Sequence, residues 1–235
     1  MRRVAILLTW YCASAAPAAG QGPYRLTWWD AASVTGAGAL AVLPAVLDLP
    51  HGLPSCAPCD PTSVPGIDRA GLRTFSGGAA TASSVLLAGL VGGASLAVLR
   101  GVEPAQARGN AAVLLNSLAW TTAATDWLKV IVHRNRPILY TAAAPAAAPL
   151  RESRVSFPSG HAAVAFSAAT TYLVIAQREH RLHRARNAVL LYAGATGVAV
   201  LRVAGGKHFP SDVAGGALLG SGIGWLVARV HPTKP

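Results

Sequence analysis

The 235-residue chain is 52% hydrophobic and only 12% charged, with a formal net charge of +11. A soluble domain carries about twice that charged fraction, so the composition excludes an ordinary soluble fold and points to an integral membrane protein. The positive charge is not that of a nucleic-acid binder: much of it lies in short segments between apolar runs, with no aromatic-interleaved basic face and no zinc-finger spacing. Residues 1–20 combine a basic start, a short apolar core and small residues at Ala13-Ser14-Ala15, the pattern of a secretory signal peptide or an uncleaved N-terminal anchor. Residues 21–235 read as one domain. Apolar segments near 31–50, 77–99, 110–132, 161–176, 188–204 and 212–230 approach the ~20 residues that cross a bilayer. Gly, Pro or charged clusters separate them, as helix ends require. The fold class expected is therefore all-α, a membrane bundle of about six helices.

Between these segments the chain carries several signals. Trp28 and Trp29 precede the first and suit an interfacial belt. Cys56 and Cys59 lack the further ligands of a zinc site and the βαβ context of a thioredoxin motif, which leaves a local disulfide as the preferred reading. Residues 141–150, broken by Pro145 and Pro149, read as a surface loop, and Arg151 and Arg154 beyond it are placed to meet a headgroup. Gly216, Gly220 and Gly224, four residues apart, predict a close helix contact. Arg178, Arg181, Arg184 and Arg186 crowd one short loop, which the positive-inside rule assigns to the cytoplasm. Loops 133–160 and 205–211 then face outward, which demands an odd number of crossings before residue 51. A cleaved signal followed by a spanning 31–50 violates that parity, and so does an uncleaved anchor followed by one.

Polar chemistry concentrates in three clusters at segment ends. In "KVIVHRNRP", Lys129 and Arg136 are seven residues apart, two turns if helical, and Pro137 marks the end of the element. In "PSGH", Ser159 is a candidate helix cap, Gly160 lets an anion approach the backbone, and His161 stands at the helix mouth. In "LRVAGGKHFPSD", Arg202 ends a segment, and His208 and Asp212 are spaced so that the carboxylate can hold one ring nitrogen while the other stays reactive. Three cations, a helix N-terminus, two histidines and one aspartate suit a highly charged oxyanion, a nucleophile and an acid. The carboxylate cluster that a divalent metal prefers is missing from the pattern, so the reading is a metal-independent phosphate site with no cofactor.

Lys-x6-Arg-Pro, Pro-Ser-Gly-His and Arg-x5-His-x3-Asp, in that order over 129–212, resemble the type 2 phosphatidic acid phosphatase (PAP2)/vanadium haloperoxidase superfamily, and the segment count resembles its six-helix membrane branch. The resemblance implies that His208 is the nucleophile of a phosphohistidine intermediate, Asp212 its orienting partner and His161 the general acid. It implies a phosphate cradle of Lys129, Arg136, Ser159, Gly160 and Arg202. Leu201 departs from the serine often found before that arginine. Asp126, outside the pattern, is expected to position Lys129. The activity implied is removal of phosphate from a lipid phosphate or diphosphate at the outer, periplasmic face of a bacterial-type inner membrane, with the lipid and the bilayer as the partners. The rival readings are a vanadate-dependent haloperoxidase and a non-enzymatic transporter.

Overall fold

The computed structural model describes residues 24–233; the expected signal peptide or anchor at 1–20 lies outside them. Six long helices run Trp28–Val46 (α1), Gly77–Leu99 (α2), Pro104–Val132 (α3), Gly160–Arg178 (α5), Arg184–Ala204 (α6) and Pro210–Val230 (α7), with a single turn Ala144–Ala147 (α4) in the connection after α3. Among the described residues no strand forms, only an isolated bridge between Tyr24 and Thr233. Four helices, α1, α2, α6 and α7, are long and apolar enough to cross a membrane, and the protein is a multi-pass membrane protein. The expected first segment is shifted toward the N-terminus. Asp30 accepts from the Thr27 amide at 2.7 Å and closes the start of α1, which takes in Trp28 and Trp29. Asp48 adopts a left-handed φ of 49° just after its end.

α5 is the hub of the bundle, packing against α7, α6, α3 and α2, whereas α1 packs mainly on α3. That position explains the buried polar side chains that α5 carries. Its Ser167, Thr170 and Thr171 face protein rather than lipid, and Ser167 accepts from Thr121 of α3 at 2.9 Å. The outward faces of the surrounding helices carry exposed Val85, Leu96, Val189, Leu190, Val200, Leu218 and Leu226.

The three spaced glycines lie in the α5–α7 contact. A Cβ at Gly216 would run into the Ser159 carbonyl, at Gly220 into that of Ala163, and at Gly224 into Ser167 and Thr171. Only hydrogen at these positions lets the two backbones approach so closely. The start of α1, the α2–α3 turn, the α5–α6 turn and the end of α7 share one end of the bundle. There Arg181 bonds the Val98 carbonyl at 2.9 Å and Asn110 bonds Glu179 at 2.8 Å. The connections 47–76, 133–159 and 205–209 share the other end.

The 141–150 stretch is not a free surface loop. Ala144 and Ala147 are buried with Leu139 and Cys59, and the Cys59 amide donates to the Leu139 carbonyl at 2.7 Å. Cys56 and Cys59 form a disulfide, as the sequence favours.

The glycine seam predicts an asymmetry within one helix. Gly220→Leu forces the α5 and α7 backbones apart, at a cost of about 1–3 kcal/mol or more. At Gly222 nothing lies within 4 Å of where a Cβ would stand, so Gly222→Leu should leave the melting temperature in detergent unchanged or raised. Equal sensitivity at the two positions would contradict the seam.

Candidate active site

α3 ends at Val132, and His133 turns the chain with a left-handed φ of 55°. Lys129 therefore sits in the last helical turn while Arg136 lies beyond it. The two do not share a helical stripe, as their spacing suggested, yet both reach the same site. Lys129 Nζ donates to Asp126 Oδ1 at 2.7 Å, the pairing expected of Asp126. The ammonium also lies against Gly160, 3.4 Å from where a Cβ would stand. Arg136 is largely buried, with a Glu152 oxygen 3.7 Å away. Burial pulls the Arg136 pKa below its ordinary value, with Glu152 and Asp212 opposing. Arg202, in the last turn of α6, has Nη1 3.5 Å from Ser83 Oγ of α2.

α5 begins at Gly160, so the amides of its first turn have no intrahelical acceptor. Ser159 occupies the N-cap position, but its hydroxyl does not cap. The Ser159 amide donates to the Asp212 carbonyl at 2.9 Å, while the Ser159 Oγ is buried without a partner. His161, in the first turn, has Nε2 3.1 Å from Ser84 Oγ of α2. Arg202, Lys129 and Arg136 all act electrostatically on its ring.

His208 stands in the Gly205–Phe209 connection, and Gly206 turns the chain with a φ of 63°. The imidazole is buried, and desolvation pushes its pKa down to about 3; Asp212 opposes the shift, while Arg136 and Arg202 reinforce it. His208 is thus a neutral base at physiological pH. Asp212 lies in the first turn of α7, and His208 precedes that helix, so the two are not a helical i,i+4 pair. His208 Nδ1 is 3.7 Å from Asp212 Oδ2, an ion-pair distance too long for a hydrogen bond. The carboxylate is held instead by the Phe209 amide at 2.8 Å, Ser156 Oγ at 2.6 Å and Arg134 Nη1 at 2.6 Å.

All eight residues singled out in the sequence thus gather at one end of the bundle. Arg136 Nε, Arg202 Nε, Ser159 Oγ and His208 Nδ1 are all buried there without a protein partner. Of these, His208 Nδ1 faces the Asp212 carboxylate, while the two guanidinium nitrogens and the Ser159 hydroxyl are buried donors that suit an oxyanion. The sequence reading missed Arg134, Asp68, Ser156 and Ser84. Arg134 sits two residues before Arg136 and carried a visible signal. Asp68, from a connection without motif, carried none. Of the two arginines expected to meet a headgroup, Arg151 donates Nε to the Leu49 carbonyl, and Arg154 is buried.

Residues 110–235 match the profile of the PAP2 superfamily. The chain belongs to the PAP2 superfamily. Comparison with curated proteins and with solved structures gives no match. Membership points the chain to chemistry of the phosphatase and haloperoxidase type, and the matched region contains all eight residues gathered above.

The unpartnered hydroxyl gives a two-sided prediction. Ser159→Ala removes a buried donor that makes no bond in the protein, so the melting temperature should hold or rise. Vanadate or phosphate inhibition should weaken about ten- to a hundredfold, the value of a hydrogen bond to a charged group. Unchanged inhibition would remove Ser159 from the anion site.

Proposed function

We propose that this PAP2 protein hydrolyses a lipid phosphate or lipid diphosphate without a metal, through a phosphohistidine on His208. The observation that carries the reading is a buried His208 with Nδ1 3.7 Å from the Asp212 carboxylate, at the same end of the bundle as Lys129, Arg136, Arg202 and His161. The three cations hold the phosphoryl oxygens, joined by Ser159 Oγ and the first amides of α5. The free lone pair of His208 attacks phosphorus from Nε2, the nitrogen farther from Asp212. As the phosphorus–oxygen bond of the leaving group breaks, His161 passes its proton to the departing oxygen. Water then attacks the phosphohistidine, giving a proton to His161; the N–P bond breaks and inorganic phosphate leaves. Charge developing on phosphate is met by side-chain cations at every stage.

A lipid substrate is supported by the place of the site. It lies at the ends of helices whose outer faces are apolar, where a substrate with its tail in the bilayer can present its headgroup. We read all six long helices as crossing the membrane, with the polar side chains of α3 and α5 sheltered inside the bundle. The arginines of the α5–α6 turn favour the cytoplasm for that end and the periplasmic side of a bacterial-type inner membrane for the catalytic end. Among the described residues, α1 supplies one crossing before the cysteine loop. One of those arginines, Arg181, is spent locally on Glu179 and on the α2 carbonyls, which leaves Arg178, Arg184 and Arg186 to carry the topological signal.

Purified protein in chelator should release phosphate from a phosphatidate-type lipid, and His208→Ala should abolish this. His161→Ala should slow an alkyl phosphate by about 10²–10⁴-fold and an activated aryl phosphate far less, since general acid catalysis matters most for a poor leaving group. Activity that disappears in chelator and returns with Mg²⁺ would contradict the metal-free mechanism. Equal losses on both substrates would contradict the role of His161.

A further inference from the structure

Arg134 lies between two carboxylates. Its Nη1 donates to Asp212 Oδ1 at 2.6 Å and its Nη2 to Asp68 Oδ2 at 2.7 Å. Asp68 belongs to the 3₁₀ segment Gly66–Leu72 between α1 and α2, outside the region that matches the superfamily. It is buried, and it also receives the Ser211 amide and hydroxyl, both at 2.8 Å. Asp68 thereby fastens the start of α7, where Asp212 sits one residue on from Ser211. The guanidinium of Arg134 stacks 4.5 Å over the ring of Phe209, the neighbour of His208. The same 3₁₀ segment presses on the catalytic loop at Gly71, where a Cβ would stand 3.3 Å from the His208 carbonyl.

The charges in this group decide what Asp212 can do. Arg134 and Asp212 alone would form a neutral pair, and the carboxylate would offer little support to a positive charge on His208. With Asp68 included, two carboxylates face one guanidinium and one negative charge is left over. We propose that Asp68 is a positioning residue for catalysis: by sharing Arg134, it leaves Asp212 electrostatically free to stabilise the cationic, phosphorylated His208. The inference rests on the phosphohistidine reading of the site and adds a residue and a charge balance to it.

A double-variant cycle tests this, with kcat and KM measured on a phosphatidate-type lipid per folded molecule and melting temperatures recorded for each variant. Asp68→Asn makes the group neutral. It should lower kcat about tenfold or more, within the 10–10³-fold effect of a neighbouring charge on the stability of an ionised form, with KM changed less than about twofold. Asp68→Glu keeps the charge and should retain most of kcat. Asp68→Asn combined with Arg134→Gln restores one net negative charge, and the carbonyl of the introduced glutamine can accept from the amide of the introduced asparagine. The double variant should therefore be faster than Asp68→Asn alone, which a purely structural role cannot produce. Wild-type rates in Asp68→Asn, or a double variant as slow as or slower than the single one, would overturn the proposal while leaving the phosphatase reading intact. A wild-type protein that releases no phosphate would overturn that reading and this inference together.

Discussion

The close approach of α5 to α7 is the constraint on which the site depends. Each helix carries one cluster of the candidate site at its start, the Pro-Ser-Gly-His turn before α5 and the His208–Asp212 connection into α7. Neither cluster is a site by itself. Gly216, Gly220 and Gly224 let the two backbones meet, and the Ser159 amide then reaches the Asp212 carbonyl at 2.9 Å. That hydrogen bond sets the first turn of one helix against the first turn of the other. Within lipid no hydrophobic driving force favours one apolar helix face over another, so small residues that allow backbone contact set the register. The registry of the reacting groups is thus fixed well inside the bundle.

Around that frame the positive charge is divided into two populations with opposite tasks. Arg134 and Arg136 are two residues apart, yet Arg134 is consumed by buried carboxylates while Arg136 meets only a Glu152 oxygen 3.7 Å away. Lys129 has Asp126, and Arg202 has only a weak contact with Ser83. Cations at contact distance repel by up to about 4 kcal/mol near a protein surface. A site that gathers Lys129, Arg136 and Arg202 therefore stores repulsion that a bound dianion relieves. The same surroundings hold the pKa of His208 down, which suits the nucleophile proposed for it, and on that proposal the carboxylate beside it gains value only as the ring becomes positive.

Much of this was legible in the sequence because two simple periodicities carry it. The apolar segments located the long helices, and the glycine spacing located their closest contact. The order of Lys129, Arg136, His161, Arg202, His208 and Asp212 marked the side chains that the fold gathers at one end of the bundle. What stayed hidden depends on side-chain reach across the fold. Ser159 reads as a cap from its position, but its hydroxyl makes no bond to the first turn of α5 and is buried without a partner. His208 and Asp212 read as a helical pair, but Pro210 starts the helix between them, and the carboxylate is claimed by Phe209, Ser156 and Arg134. Asp68 is isolated in a proline- and glycine-containing connection, and only the folded chain brings it to Arg134. The alanine-rich 141–150 stretch looked unstructured because alanines give no periodic contrast, although two of them pack under the disulfide.

The covalent step on His208 is the centre of the account, and chemical trapping tests it most directly. Purified protein mixed with a lipid phosphate labelled at phosphorus, then quenched in base within a turnover, should carry label that is stable to alkali and lost in acid, the behaviour of a phosphoramidate. Mass spectrometry should place it on the peptide containing His208, and in His161→Ala an activated aryl phosphate, whose leaving group needs little help from the acid, should let it accumulate because the attack of water is slowed. Full turnover with no label on His208 at any quench time, or label on a different residue, would contradict the mechanism.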